Sequence, residues 1–229
     1  MELKDKVVVV TGSSLGIGAE TAKICAKKGA KVVVTYNFDK AEGEKVLKEC
    51  RKHTDSVMLH IDVKDTESIK GFRKQVIEKF GQIDVLINDA GVIRWKKFAE
   101  HTNEDIDELI KVNLMGTIKV TKAFMKDFIE QGDCVIVNMA SDAGEEGYED
   151  LTVYCATKFG VRGFTQALAT ELPKGIRIYA VNPGMTATRM TNYQGMAPEK
   201  VAEIVVAAAE ERLGKKSGGD IDVWEYVKE

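Results

Sequence analysis

A tyrosine and a lysine stand four positions apart at Tyr154 and Lys158, in the stretch YCATK. On a helix that spacing places both side chains on one face. A phenol beside an ammonium suits proton transfer, because free phenol titrates near 10 and is a poor base at neutral pH until adjacent positive charge favours phenolate. Lowering it by about 3 units takes roughly 4 kcal/mol of differential stabilisation. The spacing does not identify the site by itself, since Tyr36 and Lys40 repeat it. Context has to separate the two copies.

A second chemical signal is the run TGSSLGIG, Thr11 to Gly18, which follows an apolar run and opens an amphipathic one. Gly12 permits a tight turn, Gly16 lets the backbone approach a pyrophosphate, and Gly18 lets the helix pack against a sheet. Ser13, Ser14 and Ile17 share this turn, whose unpaired N–H groups and positive helix-dipole end face the phosphates. A dinucleotide is the expected cofactor. Which one depends on the end of the next strand, TYNFDK, with Tyr36 and Asn37. An aspartate at Tyr36 would bond the adenosine ribose and disfavour a 2′-phosphate, and its absence removes that repulsion. No arginine follows, Leu15 sits where a basic residue would help, and Lys40 is opposed by Asp39. The balance favours NADP(H) slightly over NAD(H), and the Tyr36–Lys40 pair takes a non-catalytic place near the adenosine end.

These groups need elements to hold them. Short β-branched runs at 6–11, 31–35, 56–61, 83–88, 134–138, 176–181 and 220–227 read as strands buried on both faces, because their apolar residues run consecutively. Amphipathic stretches at 17–28, 40–52, 65–80, 103–130, 153–171 and 202–214 read as helices, with Gly29 as a C-cap. Alternating strands and helices imply an α/β fold: a doubly wound Rossmann-type sheet of seven strands, mostly parallel, with helices on both faces. A chain of 229 residues, 44% of them apolar, supports a single domain, 1–229.

Composition excludes several classes. A net charge of -3 without a basic stripe argues against nucleic acid. The opening MELKDKVVVVTG reads as neither signal peptide nor membrane span, so a cytoplasmic location is expected, with no membrane partner. Cys25, Cys50, Cys134 and Cys155 form no CxxC pair, and His53, His60 and His101 are dispersed, so no metal site is expected and the thiols read as reduced and mostly buried.

Taken together, TGSSLGIG, Asp62-Val63, NDAG at 88–91, Asn113, Ser141, YCATK and NPGMTAT at 182–188 resemble the short-chain dehydrogenase/reductase family over nearly the whole chain. The second tyrosine–lysine pair lacks this company, whereas Tyr154 has a serine thirteen residues upstream. The resemblance implies a cofactor-binding part at about 1–140 and a catalytic and substrate-binding part at about 141–229. It implies that Asp62 and Val63 contact the adenine, that Asn88, Asp89, Ala90 and Gly91 line the adenosine ribose region, and that Lys158 holds the nicotinamide ribose. Pro183, Gly184, Thr186 and Thr188 would lie by the carboxamide or phosphates. Two of these positions have simpler readings: Asp62 as a cap for the helix starting near Asp65, and Pro183-Gly184 as a turn.

The implied chemistry is hydride transfer between the nicotinamide and an alcohol or carbonyl carbon. Tyr154 moves the proton, helped by Lys158 and the oxidised ring. Ser141 donates to the substrate oxygen, and Asn113 holds a water linking Lys158 to solvent. Cys155 reads as packing. Asp89 stands where the family usually has asparagine, so an ionised carboxylate there needs a compensating donor or cation. Thirteen residues separate Gly184 from Pro198, so the segment over the substrate is short and an open pocket is expected.

Around that pocket, Arg94-Trp95-Lys96-Lys97 forms a basic, aromatic rim and Gly144 to Asp150 an acidic one. Solvated loops explain both. Beyond that, the mixture suits a sugar or polyol, with Trp95 stacking on a ring. The alternative is a reductase of 3-oxoacyl thioesters on acyl carrier protein, docked on Lys119, Lys122 and Lys126. A non-catalytic nucleotide sensor would not need Ser141, Tyr154 and Lys158 together. The long helices at 103–130 and 153–171 resemble those through which family members form homodimers and homotetramers.

Overall fold

The computed structural model describes residues 1–227; the last two positions of the expected domain, 228 and 229, lie outside the described residues. Among the described residues seven strands form one sheet: β1 Val7–Thr11, β2 Lys31–Tyr36, β3 Val57–His60, β4 Val85–Asn88, β5 Cys134–Met139, β6 Ile176–Asn182 and β7 Asp220–Asp222. Their order is β3-β2-β1-β4-β5-β6-β7, and every pairing is parallel. Chain order reverses between β1 and β4, and a crevice opens there beyond the carboxyl ends of the strands.

Burial on both faces explains the consecutive apolar runs. Val8, Val10, Val32 and Val34 point into a cluster with α1 Gly16–Lys27, α2 Lys40–Cys50 and α7 Pro198–Ala209, while Val9, Val33 and Leu86 point into the opposite one. That opposite cluster rests on α3 Thr66–Phe80, α5 Thr117–Gln131 and α6 Thr152–Glu171. Each such side chain contributes roughly 1.5–3 kcal/mol by leaving water. Between α3 and α5, Phe72 meets Phe124 edge to face at 6.1 Å and Arg73 grips Asp127 with two bonds of 2.6 and 2.5 Å.

Three expectations need correction. β3 is an edge strand, half-buried to exposed along its length, because only β2 pairs with it. The stretch 103–130 is not one helix: α4 Asn103–Leu109 passes through a π-helical segment, Ile110–Gly116, into α5. Gly116 lies at its end because a Cβ there would stand 2.9 Å from Val63. β7 stops after Asp222, and Val223–Glu225 turns into a 3₁₀ segment. All four cysteines are free and buried. No described helix is long and apolar enough to cross a membrane, and no described group of three His, Cys, Asp or Glu residues has metal-binding geometry.

Candidate active site

A cavity of about 560 Å³ runs along the carboxyl edge of the sheet. At one end lie Tyr36, Asn37, Phe38 and Asp39; at the other, Tyr154 and Lys158. Gly12, Ser14, Gly16, Ile17, Asp62, Val63, Asp89, Ala90, Gly91, Trp95, Pro183 and Thr188 line it as well. The glycine turn is pressed against the loop after β4: Gly12 has φ +70, and a Cβ on it would stand 2.8 Å from the Ala90 Cα. Thr11 fixes that loop by accepting from the Asp89 and Ala90 N–H groups at 3.0 and 3.1 Å. Sequence reasoning missed Thr11, although its place at the end of β1 was a signal.

Some expected contacts lie elsewhere. The Ser13 hydroxyl is buried, donating to the Val10 carbonyl at 2.8 Å and accepting from the Thr35 N–H at 2.7 Å, so it ties β1 to β2. Asn88 is buried too, with its amide donating to Thr121 and Asn138. Asp62 lines the cavity and accepts from the Lys64 N–H; the cap of α3 is Asp65, which accepts from Glu67 and Ser68. Asn113 does not reach the cavity. Its side chain spans the Val92 backbone, accepting from the N–H at 2.8 Å and donating to the carbonyl at 2.9 Å, and its own carbonyl accepts from Thr117.

The reacting end is assembled by β5 and the first turns of α6. Lys158 is buried and donates to the Met139 carbonyl at 2.8 Å, with its nitrogen 5.5 Å from the Tyr154 ring centre. Burial pushes this ammonium down to about 8, against the attraction of Asp89. Asp89 is pushed up to about 7 by burial, opposed by the Lys158 charge and the Gly18 N–H. Both a cation and a donor therefore face the unusual carboxylate. Gly18 must be glycine for the same reason, since a Cβ would stand 2.5 Å from the Asp89 Oδ2.

Tyr154 differs from the expected acidified phenol. Burial pushes its pKa up, the Ser141 hydrogen bond opposes this, and the charges of Asp142 and Asp89 add to the rise. The protein groups thus hold Tyr154 protonated, the form that donates to a carbonyl oxygen. Ser141, at the carboxyl end of β5, donates to Asp142 at 2.7 Å and accepts from the Ala143 N–H at 3.2 Å.

Two comparisons decide the family. The sequence model described as short chain dehydrogenase matches residues 6–198. An uncharacterized oxidoreductase of Staphylococcus saprophyticus is 34% identical over 220 residues, 92% of this chain and 94% of that protein. The chain belongs to the short-chain dehydrogenase family. A 3-oxoacyl-(acyl-carrier-protein) reductase of Thermotoga maritima is 36% identical over 209 residues, 90% of this chain and 83% of that protein. Another of that name, from Staphylococcus aureus, is 34% identical over 189 residues, 82% of this chain and 77% of that protein. As a short-chain dehydrogenase, the chain is an NAD(P)-dependent oxidoreductase acting on CH–OH and C=O groups.

The cavity fits the dinucleotide of a short-chain dehydrogenase. It is continuous from Tyr36 to Lys158, and Thr188 faces the glycine turn closely enough that a Cβ on Gly16 would stand 3.2 Å from its methyl. The segment after Gly184 does more than its length suggested. The Trp95 indole N–H donates to the Met190 carbonyl at 3.2 Å, and Arg189 pairs with Asp39 at 3.3 Å. The expected open pocket is therefore bridged, leaving a second cavity of about 140 Å³ lined by Ser141, Tyr154, Gly184 and Thr186. Arg189 escaped sequence reasoning because it lies 150 residues from Asp39 and reaches the adenosine end from another strand's loop. Two charges of the basic rim are paired by α4, where Glu108 and Asp105 hold Arg94 and Asp105 holds Lys96.

Proposed function

We propose that this short-chain dehydrogenase interconverts an alcohol and a carbonyl on a small, hydroxyl-bearing substrate such as a sugar or polyol, with NADP(H) favoured slightly over NAD(H). One observation carries the reading: Tyr154 lies on the walls of both cavities, so a substrate in the smaller meets the phenol where the larger ends. A bound nicotinamide dinucleotide supplies or accepts the hydride. Tyr154 gives its proton to the carbonyl oxygen, or takes it back from the alcohol. Ser141 turns its hydroxyl from Asp142 to that oxygen, and Lys158 holds the ribose edge while keeping positive charge near the phenol. Asn113 fixes the loop that frames the site. Cys155 is buried against Ala143 and Leu151, which supports packing.

The cofactor preference rests on Tyr36, which presents no carboxylate to a 2′-phosphate, and on Arg189, whose guanidinium lies on the same stretch of wall. Ser141 and Tyr154, both beyond residue 140, support a division of the single domain near that point. Half-exposed Ile129 and Phe159 on α5 and α6 support a homodimer or homotetramer.

A second reading, reduction of a 3-oxoacyl thioester, is favoured by the names of the Thermotoga maritima and Staphylococcus aureus relatives. Turnover measured on sugars, simple ketones and acetoacetyl thioesters, each with NADPH and NADH, separates the two. Activity on hydroxyl-bearing carbonyls with a modest NADPH advantage is expected; activity confined to thioesters would replace the first reading with the second.

A further inference from the structure

The smaller cavity has an almost wholly uncharged wall. Ile93, Trp95, Leu151 and Met185 are apolar, and Asp142 is the one ionisable acid or base among its lining besides the phenols. Its Oδ1 accepts from the Ser141 hydroxyl and the Ala143 N–H, both at 2.7 Å. Its Oδ2 has only the Tyr148 hydroxyl at 3.4 Å, and it borders the space left by Gly184, where a Cβ would stand 3.4 Å away. Among the described residues no cation pairs with Asp142, although Glu145 nearby is held by Arg162 at 2.9 Å. A carboxylate offers about four acceptor positions, so Asp142 keeps capacity on the side facing the cavity.

The same carboxylate occupies the proton that Ser141 needs for the reacting oxygen. Withdrawing it leaves the half-buried Asp142 with the Ala143 N–H and the longer Tyr148 contact beside a largely apolar wall, at a cost of up to the order of a hydrogen bond to a charged group. A substrate that brings its own donor replaces what Ser141 removes.

We propose that Asp142 is a specificity-determining residue that binds a hydrogen-bond donor, a hydroxyl or an ammonium, carried one or two carbons from the reacting carbon. The inference rests on the alcohol/carbonyl assignment of the site above and narrows its substrate class. Donor-bearing ketones and the matching diols or amino alcohols are taken in preference to plain ketones, and substrates with a carboxylate at that position are repelled.

The test compares kcat/KM for a plain ketone, the α-hydroxyketone and the α-aminoketone of the same chain length, in wild type, Asp142→Ala and Asp142→Asn. Wild type should prefer a donor-bearing ketone by about ten-fold or more, and Asp142→Ala should shrink that ratio towards one. Asp142→Asn distinguishes the donors: its amide oxygen keeps a hydroxyl preference and loses an ammonium preference. Equal losses on all three ketones would reduce Asp142 to a support for Ser141 and overturn the proposal. A wild-type enzyme active on plain ketones with no donor preference would also overturn it while sparing the broader reading. No turnover of any ketone or its alcohol with either dinucleotide would overturn both.

Discussion

At residue 89 a carboxylate stands where an amide would carry no charge, and the consequence is a pH dependence that the rest of the site must absorb. The Asp89 carboxyl is raised from an ordinary 3.8 to about 7, so between those values the folded chain holds a proton that the unfolded chain has released. Stability therefore falls as pH rises through that window. Lys158 acts in the opposite direction at higher pH: lowered from 10.5 to about 8, it lets go of a proton that the unfolded chain keeps, and stability recovers as pH rises through that range. Replacing Asp89 with asparagine removes the first effect. In thermal unfolding without dinucleotide, Asp89→Asn should lose less stability than wild type between about pH 4 and 7, and parallel curves would show that the carboxyl titrates normally. Tyr154 makes a related point. Burial and its neighbours keep it protonated, so the candidate residue was legible in sequence while its resting ionisation was not, because its burial beside Asp142 and Asp89 is a matter of three-dimensional placement.

Regular elements were the most legible part of the chain, for a physical reason. A parallel sheet covered on both faces makes every strand position apolar, and the runs in β1, β2, β4, β5 and β6 announce themselves. The π-helical segment did not, since its residues have ordinary helical periodicity and what sets it apart is tertiary: the close approach of Gly116 to Val63 and the inward bonds of Asn113. That segment gives Asn113 its task. Turned inwards, its amide closes two bonds on Val92 and a longer one to Thr157, anchoring the loop that carries Asp89, Ala90 and Gly91 past the glycine turn. Asn113→Ala leaves the Val92 N–H and carbonyl without these partners and should cost about 2 kcal/mol or more in urea unfolding. A loss below about 0.5 kcal/mol would mean that water replaces the amide freely. The bridging loop was illegible for another reason: its contacts with Trp95 and Asp39 join segments far apart in sequence, and length alone suggested an open cleft.

On the scale of the whole molecule, one sheet edge brings together residues from Gly12 to Thr188, so dinucleotide binding should stabilise the entire domain. At a hundred-fold excess over its dissociation constant a ligand contributes about 2.7 kcal/mol, roughly 5–10 °C in Tm for a domain of this size. NADPH should shift Tm more than NADH at equal concentration, and Arg189→Ala should narrow the difference; a larger shift with NADH would reverse the cofactor assignment. The proposed reaction depends on proton delivery by Tyr154 at the meeting of the two cavities. The most direct measurement is single-turnover hydride transfer, followed by nicotinamide absorbance, in Tyr154→Phe against wild type, with dinucleotide affinity titrated alongside. Unchanged affinity and a hydride-transfer rate lower by at least ~100-fold are expected; transfer at the wild-type rate would remove Tyr154 from the reaction.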